Sequence, residues 1–311
     1  IVVTTATSTF ANSQPATSNG SATIAVACPR AVYFSTANDS GQIPIGSLKI
    51  DTTFSSPTSI PSITSCSWLG ESASPSFLAG TSRGTISAFR IPSSSSVPAE
   101  PHAVFGSVSP ITTTNSSVRN VSGCPYDSSA FASVDCDSFS IWSTESPDPR
   151  KSAVTRKSIL GASSNLTNFS WSPHTEAIGS ICSASGTFAL VDIRLDKPVV
   201  TRREAAHRGA ITAVSWSPYV PNWIATGGSD CSICVWDLRW AASPVVTLSN
   251  HFASINSVAW DVRHCELIVA GSSDASMSCW SIAAPGFPAL WRHQAQSAVV
   301  HVGFLPTRSK Q

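Results

Sequence analysis

Charge is scarce in this chain of 311 residues. Asp, Glu, Lys and Arg together make up 12%, where about a quarter is usual. The balance is close to neutral, at +1, which excludes the strong single-sign field that gathers nucleic acid or an anionic membrane. Long apolar runs are missing as well. None approaches the roughly 18 residues that a spanning helix needs, so no membrane insertion is expected. Paired cysteine spacing is absent too: nine Cys, an odd number, argue against a disulfide framework and for a reducing, cytoplasmic setting. The sequons at Asn115, Asn120, Asn165 and Asn168 are then accidents of a Ser-rich chain. Met occurs once, as Met277, and the first residue is Ile1, so the native start and any targeting signal are expected upstream.

What is present points to β structure. Hydrophobic residues reach 42% and there are ten Trp, a composition suited to pleated, half-buried surfaces. The chain is long enough to bury a substantial core. The charge is uneven: residues 1–145 hold five basic and eight acidic side chains, and residues 146–311 hold fourteen and ten. The basic excess gathers at Arg150, Lys151, Arg156 and Lys157 and again at Arg202 and Arg203, and reads as solvated loops.

Periodicity is the dominant signal. His207 and His251, Trp216 and Trp260, Asp230 and Asp274, and Trp236 and Trp280 all stand 44 residues apart. A period in the 40–45 range marks a repeat architecture. A short alternating run, often ending in an aromatic and Pro, opens each unit. Such runs start near residues 22, 63, 118, 166, 211, 255 and 299, and their alternation predicts strands with one buried face. Second and third strands are predicted around a tight turn at Gly228–Asp230 and again at Gly271–Asp274, with a fourth over Pro244–Leu248 and Ala289–Trp291. Residues 1–21 read as one strand, Ile1–Thr5, and a flexible connection. Ile91–Pro110 and Ser143–Ser164 read as exposed loops. Four antiparallel strands per unit, repeated radially, predict an all-β propeller over residues 22–311.

The repeats resemble those of the WD-repeat (WD40) family. The dipeptide itself stands at Trp236-Asp237, and the Gly-His signal is replaced by Ala206-His207 and Asn250-His251. The strong likeness covers about residues 166–282. In earlier units Cys136 stands where Asp is expected, Phe89 and Val191 where the blade Trp is expected. Six units look complete and a seventh stops after its first strand. The resemblance therefore implies a seven-bladed parent with its last blade incomplete, closed by Ile1–Thr5; a six-bladed ring is the alternative. It also implies a structural hydrogen-bonded relay: His207, Thr226, Asp230 and Trp236 in the fifth unit, and His251, Asp274 and Trp280 in the sixth, where Ala270 supplies no hydroxyl.

No catalytic residue, metal or cofactor is predicted. The His and Asp recur in adjacent units, as structural groups do. Gly80-Thr81-Ser82-Arg83-Gly84 fits the hydrolase nucleophile elbow, but it joins two predicted strands where that mechanism needs a helix. Cys231-Ser232-Ile233-Cys234 supplies half of a zinc site, with no second pair. The expected function is a non-catalytic scaffold or adaptor that binds proteins or peptides. Its alternative is a cargo or substrate receptor, because Trp236-Asp237-Leu238-Arg239 resembles both the docking box of ubiquitin-ligase adaptors and the receptor for an N-terminal peroxisomal signal. Arg194 and Arg239, 45 residues apart with Trp240 beside the second, are candidate contacts on one rim; a local ion pair is the competing reading. Arg83, Arg208 and Phe252 are candidates on the opposite face.

Overall fold

A computed structural model describes residues 2–5, 10–13, 23–28, 31–36, 63–69, 76–90, 101–106, 116–144, 154–157, 159–160, 165–240, 242–262, 264–283, 286 and 289–303. Every element among them is a strand, and no helix is long and apolar enough to cross a membrane. The strands form antiparallel sheets arranged as in a WD40 β-propeller. Sheets two to six have four strands each, in chain order. The fifth comprises Ile211–Trp216, Trp223–Gly228, Ser232–Asp237 and Val246–Ser249. The sixth comprises Ile255–Trp260, Leu267–Ser272, Ser276–Ser281 and Ala289–Gln294.

The first strands of successive sheets pack side by side around a central channel. The ring runs through Phe10–Ser13, Ile63–Leu69, Asn120–Gly123, Leu166–Trp171, Ile211–Trp216, Ile255–Trp260 and Val299–Gly303, and the last of these returns to Phe10–Ser13. Val299–Gly303 pairs antiparallel with Val2–Thr5, so a segment from the start of the chain completes the last, two-stranded sheet.

Two segments depart from what the sequence suggests. The run over residues 22–29 is the middle strand of its sheet, Thr23–Cys28, and the inner place goes to Phe10–Ser13. Alternation identifies a half-buried strand but not its order in the sheet. The two Ser/Pro-rich or basic stretches assigned to loops each contain an outer strand, Pro101–Gly106 and Val154–Lys157. An outer strand is half solvated and needs little apolar patterning. Most of the remainder of the two stretches, with Arg150 and Lys151, lies outside the described residues, as does Asn115.

The core lies in the seams between sheets. Leu166, Phe169 and Ile181 of the fourth sheet pack with Val134 and Phe139 of the third. Ile224 and Trp236 of the fifth pack with Phe188 of the fourth, and Ala225 and Val235 pack with Ile268 of the sixth. A sheet with two apolar faces cannot bury both alone, so each neighbour is a condition of the other's folding.

Hydrogen bonds stitch the same seams. A bulge interrupts the register at the second residue of four inner strands, and a bulge re-aims its side chain. Thr64 there donates to the Val118 carbonyl at 2.6 Å, Thr167 to Ile211 at 2.6 Å, Thr212 to Ile255, and Asn256 to Val299 at 2.8 Å. At the far end of these strands Trp171, Trp216 and Trp260 reach the other way. Each donates its indole N–H at 3.1 Å to the preceding inner strand, at the carbonyls of Ser122, Ser170 and Ser215.

Candidate functional site

The propeller has two ends. One carries the turns between second and third strands and is called the turn end here; the other carries the three tryptophans just described. In the fifth sheet the relay is built at the turn end from four elements. Trp236 Nε1 donates to Thr226 Oγ1 at 2.9 Å, Thr226 Oγ1 lies 2.8 Å from His207 Nε2, and His207 Nδ1 lies 3.0 Å from Asp230 Oδ1. An ionised carboxylate only accepts, so Nδ1 carries the proton and Nε2 accepts from the threonine. The chain of donors then runs one way, from indole to hydroxyl to imidazole to carboxylate. Asp230 also takes the Arg208 amide at 3.0 Å and the Ser232 hydroxyl at 2.8 Å. Burial would raise its pKa, but the Arg208 amide, the imidazole and Ser232 outweigh burial and hold it at about 2.

The sixth sheet repeats the upper half of this arrangement. His251 Nδ1 meets Asp274 Oδ2 at 3.2 Å, Phe252 donates its amide to the same oxygen at 2.9 Å, and Asp274 is likewise held at about 2 despite burial, chiefly by Ser276 and the Phe252 amide. Ala270 stands where Thr226 stands in the fifth sheet, and His251 Nε2 is buried with no hydrogen-bond partner among the described residues. Burial lowers the His251 pKa, against the pull of Asp274. Trp280 packs edge-on against the imidazole, with ring centroids 5.6 Å apart.

Other hydroxyls and carboxylates share the work. Ser232 and Ser276 stand 44 residues apart and bond both the His and the Asp of their sets; the shared offset was the signal for them. In the third sheet Trp142 donates to Ser133 at 2.8 Å, and Asp135, one place before Cys136, receives Ser138 at its turn. The hairpin is one residue shorter than in the fifth sheet, and Asp135 stands seven residues before Trp142 where Asp230 stands six before Trp236, so the fixed offset misses it. Phe89 lies opposite Phe77 in the register that Trp236 and Ile224 occupy.

These turns hold the residues singled out for chemistry. Thr81–Gly84 links two strands, with Gly84 at φ +82° and its amide 3.1 Å from the Thr81 carbonyl, so Ser82 sits on a hairpin. Cys231 occupies the left-handed region at φ +66°, as Ala275 does at +60° in the sixth sheet, whereas Cys234 is buried in the next strand. The two thiols therefore belong to a turn and to a seam, and they do not converge.

At the opposite end the Asp-x-Arg steps close on themselves. Arg194 grips Asp192 through Nε at 2.9 Å and an Nη at 2.6 Å, and Arg239 grips Asp237 at 3.0 and 2.7 Å. The Arg239 guanidinium is the main cause that takes Asp237 down to about 2. Both arginines stay largely in solvent, with side chains 63% and 61% exposed. Trp240 beside them is 76% exposed. At the turn end Phe252 is 82% exposed, and Arg83 and Arg208 are exposed too.

Two cavities lie on the axis. The channel, of about 220 Å³, is lined by small polar groups including Ser65, Ser67, Asn120, Asn168, Ser257 and His301. Burial pushes the His301 imidazole down to about 4. The mouth at the tryptophan end, about 360 Å³, is lined by Trp171, Trp216, Trp260, Pro125, Pro173 and Pro218. Among the described residues no cluster of three or more His, Cys, Asp or Glu could hold a metal ion.

Comparison with known proteins agrees with this geometry. The family model "WD domain, G-beta repeat" matches residues 198–237 and 242–281, which lie in the two sheets with His–Asp sets and the strand before them. Human protein transport protein Sec31A is 27% identical over 90 residues, 28% of this chain and 7% of that protein. The mouse counterpart is 28% identical over the same shares. The likeness thus spans less than a tenth of those relatives.

Proposed function

From a chain that belongs to the WD-repeat family, we propose a non-catalytic scaffold that holds other proteins together, acting in the cytoplasm. One observation carries this reading. The groups that resemble catalytic machinery are bonded to one another within the turns, while large side chains with no packing duty, Trp240 and Phe252, stand in solvent at opposite ends. Exposed aromatics beside arginine are the composition of binding hot spots. Likeness to a protein named for protein transport makes a transport assembly the first to test.

Affinity capture with the full chain and with Trp240→Ala and Phe252→Ala tests the proposal. Partners are expected to be lost from one variant while the thermal midpoint holds. A folded protein that retains no partner under any condition overturns it.

The receptor reading keeps one specific support: Arg194 and Arg239 present repeated, exposed guanidinium edges on one rim. Reversing both to Glu should then remove one defined complex, a cargo or a ligase, and leave the others.

A further inference from the structure

The two ends differ in how their arginines are employed. At the tryptophan end Arg194 and Arg239 are each closed, bidentate, on their own aspartate. Described acids there are Asp127, Glu176, Asp192, Asp196, Asp237, Asp261 and Glu266, against Arg194, Lys197 and Arg239. At the turn end the acids are mostly consumed: Asp135, Asp230 and Asp274 point into their turns as acceptors. Arg83, Arg119 and Arg208 are exposed there, and none of them forms an ion pair among the described residues. Arg119 lends one nitrogen to Cys136. Among the described residues only Asp137 and Glu204 are exposed acids at this end, and Glu204 is taken by Arg202 at 3.1 Å. The register of Val154–Lys157 brings Arg156 and Lys157 to the same end.

Two of the side chains at the turn end are mounted alike. The residue after each relay histidine donates its amide to the turn aspartate, Arg208 at 3.0 Å and Phe252 at 2.9 Å. The backbone at both places is therefore fixed by a charge-assisted bond before any ligand arrives. Preorganisation of this kind lowers the ordering cost of binding. Phe252 is held further by the Arg292 guanidinium, 5.1 Å over its ring. An 82% exposed phenyl ring kept in place by its neighbours has no role in the fold's own core.

We infer that the turn end is the docking surface for an acidic segment of a partner protein that carries an apolar side chain, the carboxylates meeting Arg208, Arg83 and Arg119 and the apolar group meeting Phe252. Charge complementarity selects an acidic ligand here and disfavours one at the other end. The assignment rests on the scaffold reading and adds the face and the chemistry of the partner.

The test is to pan a random-peptide phage library on the immobilised full chain and measure Kd for the selected peptides. Selected sequences should be rich in Asp and Glu around one apolar residue, and their binding should weaken as salt rises. Arg208→Glu and Phe252→Ala should each weaken binding by roughly tenfold or more, with thermal midpoints unchanged, and Arg239→Glu should have no effect. Vesicles of phosphatidylcholine with phosphatidylserine, and a DNA duplex, are run beside the peptides. Tighter binding to either overturns the assignment, as do peptides without acidic bias, binding indifferent to both variants, or no selected binder. Cellular partners that are captured and depend only on Trp240 or Arg239 would sink this inference and leave the scaffold intact. Absence of partners at both ends would sink both.

Discussion

Thr226 is the sharpest test of how the relay holds this propeller together. Its hydroxyl is completely buried and serves two neighbours at once, accepting from the Trp236 indole at 2.9 Å and donating to His207 Nε2 at 2.8 Å. Thr226→Val keeps the shape and deletes both bonds. Each buried polar group left unpaired costs about 1–3 kcal/mol, and the lost hydroxyl no longer has to be desolvated. The expected net loss is about 2–4 kcal/mol, read as a lower urea midpoint with an unchanged slope. The sixth sheet offers the reverse experiment. Ala270 leaves His251 Nε2 without a partner, so Ala270→Thr should recover up to about 1 kcal/mol if the seam accommodates the added atoms. A Thr226→Val protein with a wild-type midpoint would refute the relay as a source of stability. So would equal destabilisation by both substitutions, since one removes a hydroxyl and the other adds it.

The remaining predictions concern acidity, turns and seams. Asp230 and Asp274 sit at about 2, below an unfolded value near 4; their contribution is full above that value and is lost as pH falls towards 2. His251 and His301 are lowered, His301 to about 4. Their unfolded forms take up protons first, so stability should begin to fall below about pH 6.5; His301→Gln should flatten thermal midpoints measured between pH 6.5 and 4. Cys231→Gly, at φ +66°, relieves a left-handed residue and should raise the midpoint by the equivalent of roughly 1 kcal/mol. Gly123→Ala places a Cβ 2.1 Å from the Trp68 carbonyl oxygen and should cost about 3 kcal/mol or prevent folding, seen as lost soluble yield.

Much of this fold is legible where the repeats are strong. The 44-residue offset carries His207 with His251 and Asp230 with Asp274, because a buried carboxylate demands donors and few residue types supply them. Where a hydroxyl or a one-residue-shorter turn does the same work, as at Ser133 and Asp135, the code loosens and the sequence falls silent. Strand order failed in the first sheet, since Phe10–Ser13 is short and weakly apolar while its neighbour alternates clearly. The Asp-x-Arg steps were visible, but sequence left open whether the guanidinium faces a partner or its own aspartate. Two residues of separation suffice for the local pair, and that is where it goes. The exposed arginines of the turn end were not legible in the sequence, because exposure and pairing depend on residues far away in the chain.

The threonine, asparagine and tryptophan side chains that reach across the seams each end on a main-chain carbonyl, with the Ser180 hydroxyl as a second acceptor for Trp216. A carbonyl is present whatever side chain its residue bears. Any one sheet can therefore exchange its residues at the receiving positions without letting go of the next, and a unit whose sequence has drifted out of recognition is still accepted by its neighbours.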